Sequence, residues 1–381
     1  MIGLPSGAQV WLAVGRTDMM GWTPLANRGQ GDPTFLVQWR AIMMDVKVIG
    51  IDVAKRYFQV HGVSASGAIT IRRKISRDGF LKLLADLSPC LVGLEAGSGA
   101  HHWARQIARL GHDVRLMPPQ FVRPYVKTNK NDAADAEACC EAVQRPGMRF
   151  VPVKSLEQQA AMALHRVRDH LVRQRTGTIN ALRGHLAEYG IVASALRGGL
   201  NQLFSIVHAE DDNEQLPTSV KELLRTLVTE IRAADAHIAE LDRKLKDNAR
   251  ADEACRRLVE VPGIGPVIAT AVVATVPDDQ RFSSGRHFAA WLGLTPKQHS
   301  SGGKERLLGI SKRGDAYMRR QFINGARALV RISSGRTGSF WDWINALLAR
   351  RAFNVVAVAV ANKLARVAWA LQARGTRWKT A

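Results

Sequence analysis

The sequence predicts an α/β domain followed by a largely all-α remainder, and three observations carry that expectation. Two short apolar runs, Val48-Ile49-Gly50-Ile51-Asp52 and Leu91-Val92-Gly93-Leu94-Glu95, each close on a carboxylate, the pattern of a buried strand that delivers an acid to the rim of a sheet. Strand-like and helix-like segments alternate from Val46 to about Val143. From Ser155 onward helical periodicity takes over, interrupted by Gly- and Pro-bearing turns.

In chain order, Val46–Ala54, Tyr57–Val63 and Ala68–Ile75 read as three successive strands, with Ser64-Ala65-Ser66-Gly67 as a hairpin loop. A helix over Arg77–Leu87, the strand ending at Glu95, a helix over Ala100–Leu110 and the strand Asp113–Met117 follow. Pro118-Pro119 breaks the chain before two further helices, the second beginning near Asn131. A three-strand meander followed by alternating helix and strand describes an RNase H-like layer. That fold carries acids on its first and fourth strands and its last helix, where this chain has Asp52, Glu95 and the pair Asp132 and Asp135.

The spacing of Asp132 and Asp135 puts them on one helix face. Four converging carboxylates repel one another by several kcal/mol unless neutralised, so in a chain this basic they suggest a divalent cation and a metal-dependent phosphoryl-transfer site. Any one of the four alone reads equally well as a surface ion-pair partner. His101, His102 and Trp103, after Glu95, sit where the next helix starts and stay outside the candidate site, as capping or packing residues.

Composition points to a polyanion. The 381 residues carry a net charge of +21, more than solubility needs, and nucleic acid fits this better than a membrane surface because the cations are spread through motif-bearing segments. Cys90, Cys139, Cys140 and Cys255 show no metal-ligand or disulfide spacing, which fits a reducing cytoplasm. The apolar stretch Val355 to Ala361 falls short of the ~20 residues that span a bilayer, so no membrane partner is expected. Residues 1–43 hold no lysine, six glycines and no sustained period. They are expected to be a mis-called or disordered extension, with translation starting at Met43 or Met44.

Beyond residues 44–150, the α/β domain, a helical coiled-coil region is expected over 151–252 and a mainly helical C-terminal domain over 253–381. Leu224, Leu227, Ile231, Ala234, Ile238, Leu241 and Leu245 form a heptad seam, for an antiparallel hairpin or a dimer contact, and Asp211-Asp212-Asn213-Glu214 with Pro217 marks a turn. Val261-Pro262-Gly263-Ile264-Gly265-Pro266 resembles the turn of a helix-hairpin-helix element, in which Gly263 and Gly265 bare backbone N–H groups to a DNA phosphate. Between Arg281 and Arg331 stand eleven Lys or Arg against two acids, Glu305 and Asp315. Within that segment, His299-Ser300-Ser301-Gly302-Gly303-Lys304 offers a serine that a phosphodiester can approach, with Lys304, Lys312 and Arg313 to stabilise developing charge. Such runs are also ordinary flexible loops, and a serine needs a base or a metal to become a nucleophile. Lys130, Lys304, Lys312, Arg313, Arg319 and Arg320 are the expected nucleic-acid contacts, with Gly263 and Gly265.

These motifs, in this order, resemble the DEDD transposases of bacterial insertion sequences. The likeness rests on Gly50-Ile51-Asp52-Val53-Ala54-Lys55, Gly93-Leu94-Glu95-Ala96, Lys130-Asn131-Asp132-Ala133-Ala134-Asp135-Ala136, the Val261–Pro266 turn and Ser300-Ser301-Gly302-Gly303-Lys304 with Ile310-Ser311-Lys312-Arg313-Gly314. It runs from about residue 46 to 370. The resemblance implies a RuvC-like N-terminal domain, a coiled-coil middle and a C-terminal transposase domain. It implies that Asp52, Glu95, Asp132 and Asp135 bind Mg²⁺ or Mn²⁺. Ser301, with Ser300 as the fallback, is then the nucleophile that forms a covalent phosphoserine link to DNA. It further implies a structured guide RNA encoded by the element, donor and target DNA as substrates, and a homo-oligomer of dimers or tetramers, acting at the bacterial nucleoid. Four tyrosines leave little for base stacking, whereas Lys and Arg suit backbone contacts. The alternatives are a Holliday-junction nuclease that activates water, and a catalytically silent nucleic-acid-binding protein.

Overall fold

The computed structural model describes residues 45–127, 131–209, 216–276 and 282–378, without the side chain of Arg197. The expected extension 1–43, Lys130, the polar turn Asp211–Glu214 and Arg281 lie outside the described residues. The chain divides into two compact units, one ending at Lys154 and one running from Ser155 to Ala381.

The first unit is the mixed α/β domain expected from the sequence. Its strands are β1 (Val48–Val53), β2 (Tyr57–Val63), β3 (Ile69–Ser76), β4 (Leu91–Glu95) and β5 (Asp113–Met117). They stand in the order β3-β2-β1-β4-β5. β1, β2 and β3 form an antiparallel meander, and β4 and β5 continue parallel to β1. The C-terminal ends of β1, β4 and β5 therefore share one end of the sheet, and the short β1–β2 turn lies there too. Helices α1 (Arg77–Ala85), α2 (Ala100–Arg109), α3 (Pro119–Val122) and α4 (Asp132–Val143) complete the domain. Phe58, Phe80 and Trp103 pack edge to face, with centroids 4.5 to 5.5 Å apart, at the centre of one core. Trp103 is thus a packing residue. His101 Nδ1 accepts the Lys154 N–H at 3.2 Å, and only His102 of that trio stays exposed.

Two glycines decide where α4 lies. Gly50 and Gly93 are partners in the parallel register of β1 and β4, each two residues before an acid and so on the same face of its strand as that acid. A Cβ on Gly50 would stand 2.1 Å from the Ala136 carbonyl oxygen, and one on Gly93 would stand 2.7 Å from Val143 Cβ. The bare backbone lets α4 lie directly on the sheet, with the buried thiols of Cys139 and Cys140 turned inward. Gly50→Ala is expected to destabilise the domain by ~3 kcal/mol, because helix backbone cannot yield as a side chain would. Urea denaturation measures it, and an unchanged midpoint would contradict this packing.

The second unit opens with α5 (Leu156–Ala187), started by a capping box between Ser155 and Gln158. A short α6 (Arg197–His208) leads to α7 (Thr218–Ala251). Ion pairs Arg168–Asp242 and Arg175–Asp235 join α5 and α7 in antiparallel register. Leu224, Ile231, Ala234, Ile238 and Leu245 of the heptad seam are buried, and Leu227 and Leu241 are half-buried. The seam is thus closed within the chain as an antiparallel helical hairpin, the first of the two expected arrangements. The coiled coil as such is not seen, because the core around Leu224 and Ile231 also takes in Leu203 and Val207 of α6.

Helices α8 (Glu253–Val259), α9 (Pro266–Thr275), α10 (Gly285–Trp291), α11 (Ala316–Arg331), α12 (Ser339–Leu348) and α13 (Phe353–Arg374) build the main core of this unit. A helix-hairpin-helix element is not confirmed. α8 has seven residues, and the turn faces inward: Gly263, at φ +83°, leaves no room for a Cβ beside Leu329 Cδ1, 2.6 Å away. Among the described helices, α13 is long and apolar enough to cross a membrane, which the shorter stretch Val355–Ala361 did not suggest. It is the central core helix here, with Val356, Val360, Leu364 and Leu371 buried.

A buried polar link ties α5 to this core. His165, fully buried, shares hydrogen bonds with Tyr317 Oη at 2.8 Å and Thr270 Oγ1 at 3.1 Å. Burial, and then the charge of Arg168, push its imidazole down from 6.5 to about 4. The unfolded chain therefore takes up this proton first on acidification. The stability His165 confers is complete above about pH 6.5 and is lost as pH falls towards 4, by up to ~3 kcal/mol. His165→Gln keeps hydrogen-bonding groups but cannot titrate, so it should flatten the dependence of the urea midpoint between pH 7 and 5. A parallel fall in wild type and variant would contradict the assignment.

Candidate functional site

The α/β domain brings four acids to one end of its sheet. Asp52 stands next to last in β1 and Glu95 closes β4. Asp132 and Asp135 occupy the first turn of α4, capped by Asn131, whose Oδ1 accepts the Ala134 N–H at 2.8 Å. A helix N-terminus favours carboxylates, so the sequence folds locally to present this pair. The other three act electrostatically on Asp52. Burial first, and then the charges of Asp132, Asp135 and Glu95, push the Asp52 carboxyl from 3.8 up to about 6. Among the described residues, no group of three or more His, Cys, Asp and Glu is gathered closely enough to hold a metal ion alone. The donor set nevertheless suits Mg²⁺ or Mn²⁺: all its ligands are hard oxygens, and Mg²⁺ commonly takes one or two carboxylates with waters and substrate phosphates.

The raised Asp52 value has a measurable consequence in metal-free protein. A carboxyl whose folded value lies above its unfolded one stabilises fully below about pH 3.8 and loses that contribution as pH rises towards 6. Asp52→Asn should therefore stabilise the EDTA-treated protein at pH 7.5 by ~1 kcal/mol, the full linkage being discounted for a half-exposed group. Thermal melts at pH 7.5 and 4 check it, and an equal gain at both values would rule out the acid cluster as its source.

The serine motif forms a separate structure in the second unit. β6 (Pro296–Gln298) and β7 (Leu307–Ile310) pair as an antiparallel ribbon. Its tip, Ser301-Gly302-Gly303-Lys304, is closed by the Lys304 N–H on the Ser301 carbonyl at 3.1 Å. Gly302 and Gly303 both have left-handed φ, +55° and +76°, as a tight type I′ turn demands. The two serines are not equivalent. Ser300 Oγ accepts the Arg306 N–H at 3.1 Å and lies 3.1 Å from the Gln298 amide nitrogen, so it braces the ribbon. Ser301 is exposed, and its hydroxyl makes no hydrogen bond among the described residues.

The cations chosen from the sequence divide in the same way. Lys304, Lys312 and Arg313 are exposed and in no ion pair among the described residues. Lys312, at φ +53°, is the one non-glycine residue with left-handed φ among those described. Arg319 is committed inward: its guanidinium donates to the carbonyls of Leu292 and Arg313, both at 3.0 Å, and clamps the 311–314 loop to the end of α10. Arg320 pairs with Asp169. Gly265 is exposed, whereas Gly263 faces the core. Sequence reasoning missed the placing roles of Gly50, Gly93 and Asn131. The repeated Gly-x-acid pattern and the Asn-Asp helix start were the available signals.

Known transposases are similar to this chain over most of its length. Residues 49–191 match the family DEDD_Tnp_IS110, described as Transposase, and residues 255–342 match the Transposase IS116/IS110/IS902 family. The chain is 49% identical over 337 residues to a probable family 20 transposase of Pseudomonas aeruginosa, covering 88% of this chain and 99% of that protein. It is 42% identical over 334 residues to the transposase for insertion sequence element IS1328 of Yersinia enterocolitica, with 88% and 99% coverage. A third relative, the transposase for insertion sequence element IS1111A of Coxiella burnetii, is 42% identical over 336 residues, covering 88% and 92%. The mixed sheet is consistent with a DEDD nuclease-like fold, DNA is the partner that such enzymes imply, and the chain belongs to the IS116/IS110/IS902 family of transposases.

Proposed function

We propose that this transposase excises and inserts its own insertion sequence by serine-mediated exchange at a metal-assisted site, directed by an RNA that the element encodes. The observation that carries the reading is the delivery of Asp52, Glu95, Asp132 and Asp135 by three separate elements to one sheet end, where the other three act on Asp52. Asp52, Glu95, Asp132 and Asp135 would hold Mg²⁺ or Mn²⁺. Such an ion supplies charge neutralisation at the scissile phosphate and favours formation of a nucleophile.

Ser301 is the nucleophile in this reading, and its exposed, unbonded hydroxyl at a rigid turn supports the choice over Ser300. Its Oγ forms a bond to phosphorus while one phosphorus–oxygen bond of the DNA backbone breaks. The serine proton leaves to a base, and the departing oxygen gains one. One phosphodiester replaces another, so resealing a new strand needs no outside energy. Lys304, Lys312 and Arg313 would stabilise the charge that develops. Arg319 positions the loop of Lys312 and Arg313, and Arg320, Gly265 and Lys130 complete the proposed nucleic-acid contacts. Dimers or tetramers are the proposed assembly.

The test incubates purified protein with Mg²⁺, labelled element-end DNA and RNA from the flanking noncoding segment. Cutting should need both the ion and the RNA. Equal cutting without RNA would overturn the guide, and cutting in EDTA would overturn the metal.

A further inference from the structure

We propose that Lys55, Arg56, Lys74 and Arg77 grip the phosphate backbone of the DNA duplex beside the bond that the four acids address. This deepens the proposed function and rests on it. A cluster of carboxylates repels a polyanion, so something next to it must hold the substrate.

The sheet register places these cations there. Asp52 pairs with Gln59 across β1 and β2, and Gln59 pairs with Lys74 across β2 and β3. Directly opposed residues point to the same face, so Asp52, Gln59 and Lys74 form one cross-strand row. Neighbouring strands lie about 4.8 Å apart, so Lys74 stands two strand spacings from Asp52, about the separation of successive phosphates plus a side chain's reach. Lys55 and Arg56 occupy the β1–β2 turn at the same sheet end, three and four residues after Asp52.

The rim is built before any ligand arrives. The Arg77 backbone N–H donates to the Arg56 carbonyl at 3.1 Å, and Arg77 Nη1 donates to the Lys55 carbonyl at 3.4 Å. The Arg77 guanidinium lies over the Trp103 ring, 4.9 Å from its centroid, and Lys74 Nζ lies 4.8 Å from the centroid of half-exposed Tyr57. All four cations are exposed, and none is in an ion pair among the described residues. In the same unit Arg115, Lys127 and Arg145 are each matched to an acid. The nearest acid along the chain is Asp78, exposed in the first turn of α1.

Duplex DNA binding is measured in EDTA over a range of salt for wild type, the Lys55→Gln/Arg56→Gln double variant and Lys74→Gln. The turn's backbone, not these side chains, makes the bonds to Arg77, so the double variant should melt with wild type. Its binding should weaken three- to tenfold near 0.1 M salt, and the slope of log K against log salt should fall by about 2 for the double variant and about 1 for Lys74→Gln. Lys47→Gln/Arg109→Gln, at the opposite end of the sheet, should change neither. Wild-type affinity and slope in the double variant would overturn the proposal, as would an equal loss in the control or a loss confined to structured RNA. If the rim variants lose DNA while wild type never cuts it, the rim stands and the proposed reaction falls.

Discussion

Asp52→Ala or Glu95→Ala is expected to lower metal-dependent strand cleavage by about 10³-fold or more, while DNA binding in EDTA holds or tightens. The two effects run in opposite directions for one reason. The Asp52 carboxylate is costly in the empty site, as its carboxyl held near 6 indicates, and removing either acid relieves repulsion of the polyanion as well. In the proposed reaction the same carboxylate supplies a metal ligand, whose loss the reaction should feel in full. A merely structural acid would behave otherwise, since its loss should weaken folding and binding together. Cleavage retained in Asp52→Ala/Glu95→Ala would end the metal-site assignment, and Asp135→Asn offers a milder change at the same place.

Ser301→Ala is expected to abolish covalent attachment to DNA, whereas Ser300→Ala should keep it at a reduced rate. Ser300 holds its ribbon through the Arg306 N–H, so its loss loosens the turn by ~1 kcal/mol without removing a reacting atom. Ser301→Cys separates attack from support further, because a thiol can still attack while the ribbon is unchanged. Retained adduct in Ser301→Ala with loss in Ser300→Ala would reverse the two roles.

The α/β domain was legible because its signals are local. Apolar runs closed by an acid, short turns and the double proline each mark one element, and the observed strands differ from the expected ones by a residue or two at their ends. What fixes the acids against each other is non-local and left a fainter trace. Gly50 and Gly93 matter only because α4, some forty to ninety residues later, must touch bare backbone. The seam of α7 was visible as a period, but a period does not say which helix covers it. Leu182 and Leu186, buried in one core with Leu224 and Ile231, and the Arg168–Asp242 and Arg175–Asp235 pairs identify α5 as that partner. The Gly263 turn was read as phosphate-binding from its glycines, of which Gly263 instead permits the approach of α11, where a Cβ on Gly325 would meet the Gly263 carbonyl oxygen at 2.2 Å. His165 gave no sequence signal at all, since its partners Thr270 and Tyr317 lie over a hundred residues away.

The measurement that tests the central claim most directly is a search for protein covalently joined to labelled element-end DNA, with Mg²⁺ and the flanking noncoding RNA present. Mass spectrometry of the digested adduct should place the nucleotide on Ser301, and the adduct should vanish in EDTA, in Asp52→Ala and in Ser301→Ala. Free cut ends with no adduct under the same conditions would contradict serine exchange and make the enzyme a hydrolytic nuclease.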